Sequence, residues 1–140
     1  MPTLEETILL ATEAHAGQVD KAGKPYILHP LRLMLSLSDE TAQIVALLHD
    51  VVEDTPITLD DLRQRGYSEA IITAVDCLTR RDEETYQQFV ARAKANPIAR
   101  WVKLADIEDN MDIRRLQTIS EKDTERLQRY RDAWQFLRDD

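Results

Sequence analysis

Asp39-Glu40-Thr41-Ala42-Gln43-Ile44-Val45-Ala46-Leu47-Leu48-His49-Asp50-Val51-Val52 is the stretch that decides the fold of this chain. Ile44, Val45, Leu47 and Leu48 make its inner turns almost wholly apolar, and Thr55-Pro56 breaks the chain soon after. The spacing predicts a helix from Asp39 to Val52 that belongs in a core. Working outward, Thr3 with Glu6 reads as a capping box opening a helix to about Ala16, with Ile8, Leu9 and Ala11 near its buried side. Gly17 and then Gly23-Lys24-Pro25 form a loop, and Pro30 opens a short helix through Met34 and Leu35.

Downstream, Thr58 with Asp61 starts a short helix that stops near Gly66. Ser68 to Thr79 carries the stripe Ile71, Ile72, Val75 and Leu78. Thr85 to Ala95 holds Tyr86, Phe89 and Val90; Asn96-Pro97 opens a helix containing Trp101, Val102, Leu104 and Ala105. Ser120 with Asp123 caps a last helix whose face is Leu127, Tyr130, Trp134 and Leu137. The pattern predicts an all-α bundle of about seven to eight helices, one domain over residues 1–140.

Composition agrees. Gly is scarce at 3 residues, which disfavours a sandwich or barrel. The net charge of −8 gives no diffuse attraction for nucleic acid or anionic lipid, so neither is expected as a partner. A phosphate-bearing substrate then needs a local positive site, either a metal or a few placed Lys and Arg. A lone Cys77 excludes an internal disulfide and reads as an inert thiol on a helix. Glu5 and Glu6 interrupt the start before any leader-like apolar stretch, and the longest apolar run, Ile44 to Leu48, is far short of a membrane span. The expectation is a cytoplasmic protein.

The chemistry concentrates after that run, in His49-Asp50-Val51-Val52-Glu53-Asp54-Thr55. On one helix, residues four apart differ by only about 40° around the axis. His49 would then stack with Glu53, and Asp50 with Asp54. Three carboxylates this close repel one another, and a divalent cation relieves that, with His49 as a nitrogen ligand. Solvated carboxylates at a frayed helix end fit the string equally well. Lys103, Asp106 and Asn110 share another helix face, where a plain Lys103–Asp106 ion pair is the simpler account. His29 is held on a stiff stretch between Pro25 and Pro30, and His15 reads as structural.

In order, His15-Ala16-Gly17-Gln18, Gly23 to Pro30, His49 to Thr55 and Lys103-Leu104-Ala105-Asp106 with Asn110-Met111 resemble the hydrolase domain of the RelA/SpoT alarmone enzymes and the small alarmone hydrolases. The match spans roughly residues 4 to 115. The resemblance implies an HD-type fold and one divalent metal, usually manganese, bound by His29, His49, Asp50 and Asp106. It implies that Glu53 and Asp54 stay off the metal and handle water and protons, and that Asn110 lines the nucleotide pocket. Lys21, Lys24 and Lys103 complete the candidate substrate contacts.

The implied reaction is removal of the 3′-pyrophosphate of ppGpp or pppGpp. The alternatives are an HD phosphohydrolase for another nucleotide or phosphate ester, and a nucleotide sensor without turnover. The departures bear on the substrate. Asp20 stands where those enzymes place a base-stacking arginine, and Asp112-Ile113 replaces Arg-Thr. Asp106-Ile107-Glu108-Asp109-Asn110 replaces Asp-Arg-Leu-His-Asn. An aspartate cannot stack on a base, so weak or base-relaxed binding is expected.

Overall fold

Most helices of this chain begin where a side chain can take up their free amides. In the computed structural model, which describes residues 1–139, these starts define α1 (Leu4–Ala14), α2 (Leu28–Ser36), α3 (Glu40–Leu48), α4 (Val51–Asp54), α5 (Leu59–Gln64), α6 (Glu69–Cys77), α7 (Tyr86–Lys94), α8 (Pro97–Asn110) and α9 (Glu121–Arg138). A 3-10 turn, Ile113–Arg115, precedes α9. Thr58, Thr85 and Ser120 form full capping boxes with Asp61, Gln88 and Asp123. At Thr3 only half of the expected box forms: its hydroxyl accepts the Glu6 amide with no return bond to the Thr3 amide. Among the described residues the only β pairing is an isolated antiparallel bridge between Val19 and Pro25.

α3 is the axis of the bundle. Ile44, Val45, Ala46, Leu47 and Leu48 are all 0–1% exposed. A helix apolar on every side needs neighbours on every side, and α1, α2, α6 and α8 supply them. Each such Leu or Ile contributes about 1.5–3 kcal/mol on burial. A second cluster, Val90, Leu104, Ile107, Ala133 and Leu137, joins α7, α8 and α9.

The structure departs from the expected boundaries at three places. Leu9 is 62% exposed, while Thr7, Leu10 and Ala11 face inward. Thr7 tolerates burial because its hydroxyl bonds the Thr3 carbonyl and the Tyr67 hydroxyl, at 2.9 and 2.8 Å. α2 starts at Leu28, so Pro30 is its third residue, still within the first turn where amides have no helical partner. The predicted helix 39–52 is broken at His49 and Asp50 into α3 and α4. His49 Nδ1 lies 2.6 Å from the Ala46 carbonyl, which in an unbroken helix belongs to the Asp50 amide. With α3 and α4 counted as one interrupted run, the all-helical bundle is the one the sequence predicts.

Candidate metal centre and its pocket

The break between α3 and α4 places two adjacent residues in one cluster. His49 ends α3 and Asp50 turns the chain (φ −106°, ψ 0°) into α4. His29 comes from the first turn of α2 and Asp106 from the third turn of α8. His29, His49 and Asp106 each present a ligand-type atom within 4.8 Å of the others. Asp50, Glu53 and Asp54 form a second such group, and Asp50 Oδ2 lies 2.9 Å from His49 Nε2, so the two groups adjoin. The structure thus brings together every residue expected as a ligand or proton carrier, although the two helical rows expected on one helix sit on two segments.

The imidazoles suit a cation. His49 is buried, and Nδ1 facing the Ala46 carbonyl assigns it the proton. That leaves a lone pair on Nε2, an atom without an aligned hydrogen-bond partner despite its closeness to Asp50 and Asp106. An orphaned buried nitrogen aimed at two carboxylates fits a divalent ion. His29 Nε2 meets Asp106 Oδ1 at 2.9 Å, and its Nδ1 meets Asp109 Oδ2 at 2.6 Å. Burial alone would lower both histidine pKa values, yet the facing carboxylates override it and both are raised. The centre calls for positive charge, which a divalent cation would supply.

Around this core, each carboxylate is held. Asp106 takes Lys103 Nζ at 3.0 Å on Oδ2 and Asn110 Nδ2 at 3.1 Å on Oδ1. Burial pushes its pKa up, but Lys103 and the two histidines bring it well below the usual carboxylate range. Tyr26 donates its hydroxyl to Asp50. Glu53 and Asp54 sit at the rim. Burial in the cleft raises the pKa of Glu53 against the pull of the Arg80 amide, and that of Asp54 together with the charge of Asp50. His15, structural as expected, bonds Gln18 at 2.8 Å, and Gln18 donates to the Asp54 carbonyl at 3.0 Å.

These side chains floor a cleft of about 450 Å³, within the range of small-ligand sites. Lys21, Lys103 and Asn110 line it. Lys24 does not: its amide and carbonyl close the 20–24 turn on Asp20. Lys103 is only 8% exposed, its ammonium bound to Asp106 and 4.5 Å from the centre of the Phe89 ring, so it acts on Asp106 first. Asp20 also lines the cleft, and its Oδ1 accepts the Ala22 and Lys24 amides at 2.9 Å each, which fixes its carboxylate on its own turn.

Sequence reasoning missed several residues. Asp109 was seen only as a departure from a pattern, yet it bonds His29 and is gripped by Arg32 through two bonds of 2.8 and 2.9 Å. Its i+3 spacing from Asp106 was the available signal. Arg115, Arg126 and Tyr130 also line the cleft. Tyr130 belongs to the predicted face of the last helix with Leu127, Trp134 and Leu137, and its i+4 spacing from Arg126 on α9 is the sign that it also shares a polar face.

No family model matches the chain. It is 35% identical over 121 residues to a GTP pyrophosphokinase of Streptomyces coelicolor, covering 77% of this chain and 14% of that protein. It is 33% identical over 113 residues to the guanosine-3′,5′-bis(diphosphate) 3′-pyrophosphohydrolase of Aquifex aeolicus (72% and 16%), and 33% identical over 122 residues to the bifunctional (p)ppGpp synthase/hydrolase SpoT of Escherichia coli (77% and 17%). The chain therefore spans about one-sixth of the length of these relatives. Among solved structures, a metazoan SpoT ortholog described as hydrolysing ppGpp superposes with a TM-score of 0.77 at 23% identity, covering 99% of this chain and 88% of that one. That likeness establishes the fold.

Proposed function

The chain is an HD-type helical domain resembling the hydrolase domain of the RelA/SpoT enzymes, and from that premise we propose that it is a metal-dependent phosphohydrolase that removes the 3′-pyrophosphate from a ppGpp-type nucleotide. The observation that carries the reading is the adjacency of two groups: His29, His49 and Asp106, beside Asp50, Glu53 and Asp54. A nucleotide-binding sensor has no use for proton-transfer carboxylates next to a cation site. Residues 1–140 act as one domain in this reading, and the resemblance carries the expectation of a cytoplasmic enzyme with a free nucleotide as substrate.

His29, His49, Asp50 and Asp106 would hold the metal. Manganese suits their mixed nitrogen and oxygen donors and is the ion proposed. When bound, such an ion supplies positive charge to a phosphoryl oxygen and lowers the pKa of a neighbouring water. The remaining work belongs to the chain. Asp109 and the Ala46 carbonyl orient the two imidazoles. Lys103 and Asn110 fix Asp106. Glu53, with its pKa raised by burial, moves the proton between water and the departing oxygen. Asp54 faces the same cleft and keeps the water polarised. Lys21, Arg115 and Arg126 line the walls where phosphates would lie. No side chain of the 20–24 turn offers a flat cation to a base, since its only cations are the ammonium groups of Lys21 and Lys24. This favours relaxed base selectivity.

The test is manganese-loaded protein with ppGpp and its adenine counterpart, following pyrophosphate release by phosphorus NMR. Turnover of both, with Glu53→Gln retaining metal and fold but losing about 100-fold or more in turnover, is the expected result. Full metal occupancy with no pyrophosphate released from either nucleotide would overturn the reading.

A further inference from the structure

Glu53 is the proton carrier of the proposed reaction, yet it stands on α4, a single helical turn at the rim of the cleft, where its side chain is only partly enclosed. A glutamate at such a rim samples several rotamers, and one wrong rotamer removes it from the reacting water. One protein hydrogen bond holds its carboxylate: Oε1 accepts the backbone amide of Arg80 at 2.7 Å. Arg80 lies in the segment between α6 and α7, which no regular backbone ladder fixes.

Arg92 of α7 fixes that segment. Its Nε and Nη2 take both carboxylate oxygens of Glu84, at 2.6 and 2.7 Å. Nη1 donates to the Asp76 carbonyl and Nη2 to the Thr79 carbonyl, each at 2.8 Å. The Thr79 carbonyl and the Arg80 amide belong to the same planar peptide group. Arg92 therefore grips one end of that plane while Glu53 is bound at the other. Charge on the carbonyl side polarises the amide, and bonds in such a chain strengthen one another.

We propose that Arg92, locked by Glu84, is a positioning residue for Glu53, acting through the peptide group between Thr79 and Arg80. It touches no substrate, and it does not line the cleft around the metal-type centre. This rests on the assignment of Glu53 to proton transfer, so the test has one arm that depends on turnover and one that does not.

In the first arm, manganese-loaded wild type and Arg92→Lys are compared on ppGpp. Lysine keeps the charge but cannot hold four acceptors as a planar fork. The expected result is kcat lower by about 10- to 100-fold, the scale of a misplaced catalytic group, with KM and metal content close to wild type. In the second arm, the Arg80 amide proton is followed by nitrogen-edited NMR in the diamagnetic magnesium form. It should move upfield in Arg92→Lys, in the same direction as expected for Glu53→Ala. If Arg92→Lys does not fold, Glu84→Gln loosens the same grip and takes its place in both arms. A folded variant with unchanged kcat, or with the Arg80 amide unmoved, overturns the proposal. Should the wild type itself release no pyrophosphate, the functional reading fails, and the amide shift alone decides whether Arg92 reaches Glu53.

Discussion

Asp109 is the side chain on which the orientation of His29 depends. Its carboxylate holds Nδ1 at 2.6 Å, Arg32 and Arg115 hold the carboxylate, and its pKa falls to about 2 as the His29 and Arg32 bonds outweigh burial. A ligating imidazole whose outer partner is lost typically weakens metal affinity by 10–100-fold. Asp109→Ala should show that loss in a calorimetric titration with manganese, and Asp109→Asn, which keeps an acceptor, should lose less; equal affinity in all three would remove the role. The residue scale is also where the sequence was least legible. His49 and Asp106 stood out because buried-looking helices carried them. Asp109 on His29, Arg32 on Asp109 and Tyr26 on Asp50 act through contacts 80, 77 and 24 residues apart along the chain, and no local period encodes such contacts. Asp20 has a second task that no local pattern announces: its carboxylate closes its own turn, so Asp20→Arg would delete two loop hydrogen bonds as well as change a charge.

Elements were far more legible, because caps and periodicity are local. Asn96 caps the Ile98 and Ala99 amides as read, and Ser68 and Thr85 start α6 and α7 where expected. What remained hidden was the break of α3 into α4, since a histidine ring competing for a carbonyl leaves no trace in hydropathy. The link between α6 and α7 was likewise invisible. Its Glu84 has a pKa depressed to about 2, chiefly by the Arg92 bonds. A depressed carboxylate contributes stability that is complete above its unfolded value of about 4.3 and is lost as pH falls toward 2. Urea midpoints of wild type and Glu84→Gln should therefore differ most near pH 6 and converge as pH drops from 4 to 2.5. A gap that stays constant across that range would show that the ion pair is not what Glu84 contributes.

At the scale of the molecule, the charge of −8 would oppose the proposed anionic substrate, while Lys21, Arg115 and Arg126 on the cleft walls would draw on its phosphates locally. The repulsion acts over distances that salt screens, about 30 Å at 0.01 M and 8 Å at 0.15 M, whereas contacts within the cleft are screened less. For ppGpp, kcat/KM should rise as ionic strength increases over that interval, with kcat nearly constant. A steady fall would mean that the local cations govern approach as well as docking. The bundle's class and most of its helices follow from composition and pattern, while the meeting of α2, α3, α4 and α8 at one cleft is a tertiary fact.

Helix α8 carries Lys103, Asp106, Asp109 and Asn110 in less than three turns, with Asn96 and Pro97 fixing where it starts. One codon inserted between Pro97 and Lys103 would swing all four side chains by about 100° and leave none of them facing the centre. One codon inserted between Leu116 and Ile119, outside any helix, would only lengthen a connection. The stretch 116–119 thus tolerates a change of length, while in α8 the number of residues itself sets which side chains meet the centre.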